Sequence, residues 1–164
     1  MTPKTNLHTH TSFTDGADTA ETMVRAALER GVPCIAECGG FMYLTEAIGD
    51  EPMAGFLPGT CFDTGKLTRF GYVTLRAKKD NLLCRAGEQI PAHEFHHWDA
   101  EHPGEDFRAE KPSGRSWPCT HASRTLYAGF PHFHFYANPS FAVRFLDACR
   151  KESCHAERPQ AHGD

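Results

Sequence analysis

The chain has 164 residues, is 40% hydrophobic and 23% charged, and carries a formal net charge of −4. That balance fits one ordinary globular domain and excludes a disordered chain, while the acidic charge excludes a general electrostatic grip on nucleic acid. No apolar run approaches the ~20 residues a membrane helix needs, and Met1–Asn6 carry no apolar signal core, so the expectation is a cytoplasmic chain with neither membrane nor nucleic-acid partners.

Thr5–Thr11 is rich in β-branched and polar residues and predicts a short strand, broken by Ser12–Gly16. Asp18 or Thr19 can cap a helix over residues 19–30, with Met23, Val24, Ala27 and Leu28 on its apolar stripe and Gly31 at its end. Val32–Ala36 predicts a short buried strand, and Gly39-Gly40 turns it into a second helix, Phe41 to Ile48. This order is that of an α/β layer fold with parallel pairing. From Met53 to Ile90 short β-like pieces, including Phe70–Leu75 and Asn81–Cys84, predict hairpins appended to the parallel sheet. Asp99–Ser116 is polar and predicts a mobile loop. Arg124–Phe130 returns to strand, and Ser140–Arg150 predicts a final helix with Phe141, Val143, Phe145, Leu146 and Ala148 largely buried, before a frayed polar tail.

Seven cysteines (Cys34, Cys38, Cys61, Cys84, Cys119, Cys149 and Cys154) form no CxxC pair and read as reduced thiols, most of them small apolar fillers. Cys38 stands apart. It lies between Ala36-Glu37 and Gly39-Gly40, where a sharp strand-to-helix turn would hold a nucleophile clear of the sheet. The helix after it would aim free N–H groups at the sulfur, favouring thiolate and offering Gly39 and Gly40 as oxyanion donors. The same pattern also fits a buried structural cysteine before a glycine turn. A base is available in His132-Phe133-His134, which follows a strand and puts both imidazoles on one face. A pair of surface or partly buried histidines is the more common reading of an unplaced segment of this kind.

Ala36–Leu44 resembles the nucleophile motif of cobyrinic acid a,c-diamide synthases, a branch of the class I glutamine amidotransferases. Met53–Gly59, Gly71-Tyr72, His93-Glu94-Phe95-His96 and His132–Phe135 with Asn138-Pro139 resemble later segments of that family, in the same order. The resemblance covers roughly residues 31 to 151 and implies a class I amidotransferase-like (flavodoxin-like) three-layer α/β domain over residues 32–152, before a disordered tail over 153–164. It implies Cys38 as the nucleophile toward glutamine and His132 as its proton shuttle, in a dyad with no orienting carboxylate. His93, Glu94, His96 and His134 would face the substrate. Glu37 reads as structural rather than catalytic, because neighbouring side chains alternate on a strand. Complete members resemble a longer chain whose ATP-binding domain carries a phosphate loop. No GxxxxGK[ST] occurs here, and the Gly-Gly segment expected to complete the oxyanion hole has no match. ATP and Mg are therefore expected only in a full-length protein or a partner in trans, and amidation of a corrinoid carboxylate is not expected of this chain alone.

Residues 1–31, through Leu7-His8-Thr9-His10 and Asp15-Gly16, resemble the start of a PHP-domain phosphoesterase of the histidinol-phosphatase kind. That resemblance implies His8 and His10 as metal ligands, although two ligands fall short of a closed site. Three readings follow: an incomplete glutamine amidotransferase domain, a metal-dependent phosphoesterase fragment, and an inactive remnant or subunit that needs a partner. A parallel sheet short of strands also exposes an edge, for which a homodimer is one cover.

Overall fold

The computed structural model describes residues 9–156. In chain order it contains α1 (Ala20–Glu29), β1 (Cys34–Glu37), α2 (Gly39–Leu44), β2 (Ala47–Ile48), β3 (Glu51–Pro52), β4 (Thr60–Asp63), β5 (Arg69–Ala77) and β6 (Gln89–His96). These are followed by β7 (Trp98–Ala100), β8 (Phe107–Glu110), β9 (Ser116–Cys119), β10 (His121–Ala122), β11 (Leu126–Gly129), β12 (His132–Phe133) and α3 (Pro139–Ala156).

Helix α1 starts where expected, because the Thr19 hydroxyl accepts from the Thr22 N–H. It ends at Gly31, whose φ of +79° an L side chain rarely adopts. Its apolar stripe packs Val24 and Leu28 into the cluster that holds Phe41, Leu44, Leu126 and Ala128. Helix α1, within the PHP-like segment expected over residues 1–31, packs into the same core as the elements that follow it.

The strands of the described residues form three sheets. In the first, β1 runs parallel to β11, with Cys34 opposite Leu126 and Glu37 opposite Gly129, and β10 lies antiparallel on the far side. The second is wholly antiparallel, in the order β12-β6-β5-β8-β9. The third, β3-β2-β4-β7, has one parallel pair, β2 with β4. The protein is thus α/β; among the described residues parallel pairing is confined to two strand pairs, and an antiparallel sheet is appended. Strand β11 is buried along its whole length and joins the two cores. Tyr127 packs with Leu75, Ile90, Phe107 and Phe141, while Leu126 and Ala128 face the cluster around Phe41.

Several expectations are corrected. Of the first predicted strand, residues 5–8 lie outside the described region, and residues 9–11 form no strand. Helix α2 ends at Leu44, and Ala47 and Ile48 go to β2 instead. Asn81–Cys84 is a turn rather than a strand, held by the Asn81 side-chain oxygen, which accepts from the Leu83 and Cys84 N–H groups. Asp99–Ser116 is no mobile loop. It contains β8, whose Phe107 and Ala109 point inward and are completely buried, so the short two-residue alternation outweighs the polar composition around it. On α3, Phe141 is fully buried, but Val143 and Leu146 are 55% and 51% exposed. The helix also runs past the expected fraying point to Ala156.

Candidate active site

Because β1 and β11 are parallel and in register, the residues that follow them emerge at one end of the sheet. That end is where α/β sites assemble. Cys38 follows β1 with φ 49° and ψ −109°, a backbone state that strains a residue bearing a Cβ. Its N–H donates to the Gly129 carbonyl at 2.9 Å, and its own carbonyl accepts the Met42 N–H at 3.0 Å. The turn is thus pinned to β11 on one side and to α2 on the other. The space beside it is open: a Cβ on Gly39 would meet nothing within 4 Å, and one on Gly40 only Ala36.

The electrostatics of Cys38 differ from the expected thiolate. Burial pushes the thiol above its ordinary pKa, and the Glu37 charge adds to this. A hydrogen bond from the Gly39 backbone opposes both without overcoming them. Helix α2 has only six residues and a correspondingly small dipole. At neutral pH Cys38 is therefore a thiol, and chemistry at its sulfur requires a base.

His132 opens β12, three residues beyond Gly129, and its side chain is about half exposed. Its Nδ1 lies 3.6 Å from Glu37 Oε2, while Glu37 Oε1 accepts the Phe133 N–H at 3.1 Å. Glu37 is the functional candidate that strand alternation missed. The turn at Cys38 breaks the strand geometry on which alternation depends, and His132 reaches Glu37 from a different strand. The visible signal was an acidic residue immediately before the turn.

The other predicted residues separate. His134 is exposed and stacks on Tyr136, with ring centroids 5.3 Å apart, while Phe133 and Phe135 pack against the core. His93 pairs with His132 across β6 and β12. It makes edge-on contacts with Phe70 and Tyr72, two exposed rings of β5. Glu94 and His96 do not share that face. Strand alternation turns both inward, where they are 2% and 6% exposed. His96 stacks on Phe130 at 4.1 Å, and its Nδ1 donates to the Trp98 carbonyl at 2.6 Å. Its Nε2 lies 3.7 Å from Glu94 Oε1. With Arg69, Trp117 and Cys119 the two line a cavity of about 120 Å³. Of the residues expected to face substrate, His93 lies beside His132, while Glu94 and His96 form an internal polar pair.

His8 lies outside the described residues, and His10 pairs with Asp15 within the Thr11–Gly16 turn. Among the described residues no group of three or more His, Cys, Asp or Glu side chains is arranged to hold a metal ion, and no helix is long and apolar enough to cross a membrane.

Residues 9–140 match the family model of the CobB/CobQ-like glutamine amidotransferase domain. The chain is 35% identical over 134 residues to a cobyrinate a,c-diamide synthase of Caldanaerobacter subterraneus subsp. tengcongensis, a match covering 77% of this chain and 30% of that protein. It is 37% identical over 128 residues to the synthase of the same name from Fusobacterium nucleatum subsp. nucleatum, covering 72% and 28%. With that of Salmonella typhimurium it shares 35% over 138 residues, covering 78% and 30%. The chain therefore spans about 30% of the length of these relatives. The PHP resemblance is not supported. The family match takes in residues 9–31, in keeping with the place of α1 in the shared core.

Proposed function

Since the chain belongs to the CobB/CobQ-like glutamine amidotransferase domain family, we propose that it carries the glutamine-hydrolysing half of an amidation reaction. The observation that carries this reading is the strained turn at Cys38, tied through the Gly129 carbonyl to the strand that leads into His132. The Cys38 sulfur attacks the side-chain amide carbon of glutamine as His132 accepts the thiol proton. His132 returns that proton to the amide nitrogen, the carbon–nitrogen bond breaks, and ammonia leaves a glutamyl thioester on Cys38. Water then attacks the thioester, with His132 again moving the proton, and glutamate departs with the thiol restored. The N–H groups of Gly39 and Gly40 are the donors at hand for the oxyanion of each tetrahedral intermediate.

The relatives are named for cobyrinate a,c-diamide synthesis. The acceptor we propose for the ammonia is accordingly a corrinoid carboxylate, activated by an ATP-binding part of the kind the family resemblance implies. ATP and Mg belong to that part, and the reaction belongs to a cytoplasmic assembly. The test is glutamine-dependent ammonia release from the purified chain. Release above the buffer rate, abolished in Cys38→Ala and in His132→Ala, supports the reading. Release that persists in Cys38→Ala overturns it.

A further inference from the structure

We propose that Glu37 is the positioning residue for His132, completing a Cys38–His132–Glu37 arrangement in place of a bare dyad; this rests on the proposed glutaminase reading. The two carboxylate oxygens divide the work. Oε1 is anchored by the Phe133 N–H at 3.1 Å, and this fixes the carboxylate relative to the backbone that carries the histidine. Oε2 faces His132 Nδ1 at 3.6 Å. With Nδ1 turned to Glu37, Nε2 is the ring nitrogen left for the thiol and the substrate.

The strand pattern makes the placement specific. Glu37 is the last residue of β1 and lies opposite Gly129, so its side chain leaves the sheet at the point where the chain turns from β11 toward β12. On the partner strand β6, His93 supports His132 by backbone pairing and offers no carboxylate. Glu94, the next acid along β6, points inward to His96. Glu37 is thus the acid that meets the histidine ring among the described residues.

Its charge acts in two directions. Alone, it disfavours the Cys38 thiolate. Once the proton has passed to His132, the same charge faces an imidazolium and favours the ion pair on which attack depends. Such a carboxylate accelerates the covalent step and leaves substrate binding largely unchanged. A carboxylate that merely held the loop would alter both.

The test is saturation kinetics of covalent modification by a chloroketone analogue of glutamine, run on the wild type, Glu37→Gln, Glu37→Ala, His132→Ala and the Glu37→Gln/His132→Ala double variant. Glu37→Gln keeps an oxygen for the Phe133 N–H, so it stays informative if Glu37→Ala fails to fold. The expected result is a maximal modification rate about 10- to 100-fold lower in Glu37→Gln, with the half-saturating concentration within threefold of wild type. The double variant should be no slower than His132→Ala alone, because the carboxylate acts through the ring. A Glu37→Gln rate within twofold of wild type, a change confined to half-saturation, or losses that multiply in the double variant would each overturn the assignment while leaving the glutaminase reading intact. A wild type whose Cys38 is not modified would overturn both.

Discussion

If the turn at Cys38 is a strained elbow, replacing Cys38 by glycine should yield a more stable protein than replacing it by alanine. Both variants remove the sulfur, so the comparison isolates the backbone. At φ 49° and ψ −109° a residue with a Cβ costs about 1–3 kcal/mol. Glycine relieves that strain but loses roughly 0.5–1 kcal/mol through its greater freedom in the unfolded chain. The net gain for glycine is then between about 0 and 2.5 kcal/mol. For a domain of this length a difference of 1 kcal/mol moves the melting midpoint by about 2–4 °C. Thermal and urea unfolding of the two variants should therefore place Cys38→Gly higher by a few degrees, at an unchanged urea slope. At an ordinary strand or helix position the sign is the reverse, so the sign alone is diagnostic. An alanine variant more stable than the glycine variant would refute the strained elbow.

Gly129→Ala should damage stability and site together. A Cβ there would stand 2.5 Å from the Thr120 hydroxyl oxygen, and Thr120 is completely buried with its own N–H held by the Pro103 carbonyl at 2.7 Å. A loss of about 1–3 kcal/mol is expected, with slower modification of Cys38, whereas Gly39→Ala, which meets nothing, should cost no stability. Alkaline pH should weaken the fold through Cys119, which burial pushes up to about 12. Its contribution is complete below an unfolded thiol pKa near 9 and is lost, at about 1.4 kcal/mol per pH unit, as pH rises from there toward 12. Urea unfolding should show this fall between pH 8 and pH 10, less steep in Cys119→Ala, and equal slopes would count against it. Dialysed protein should retain no stoichiometric divalent metal by elemental analysis; a retained metal lost in His8→Ala would restore the phosphoesterase reading.

The parts legible in the sequence were those set by local chemistry. The Thr19 cap, the Gly31 stop, the β1 strand and the glycine turn after Cys38 each rest on a few adjacent residues, and each stands where expected within a residue or two. What was not legible depends on partners distant in the chain. Phe107 and Ala109 alternate inward on β8 only because β5 and β9 flank them, and within a polar stretch two alternating apolar residues carry little signal. Val143 and Leu146 look like core residues on a helical wheel, yet α3 buries only the side that carries Phe141 and leaves them exposed. The HEFH segment read as one unit but belongs to a strand, so its residues divide between two faces. The closeness of Glu37 to His132 was not legible for the converse reason: alternation does not carry across Cys38, whose positive φ ends the strand.

If Cys38 is the nucleophile served by His132, covalent labelling by a glutamine-like chloroketone, mapped across all seven cysteines by peptide mass spectrometry, tests this most directly. Burial protects Cys61, Cys84 and Cys119. The expected result is therefore modification of Cys38 ahead of the half-buried Cys34 and Cys149, protected by excess glutamine and slowed at least tenfold in His132→Ala. Labelling spread evenly over the accessible cysteines, indifferent to glutamine and to His132, would contradict it.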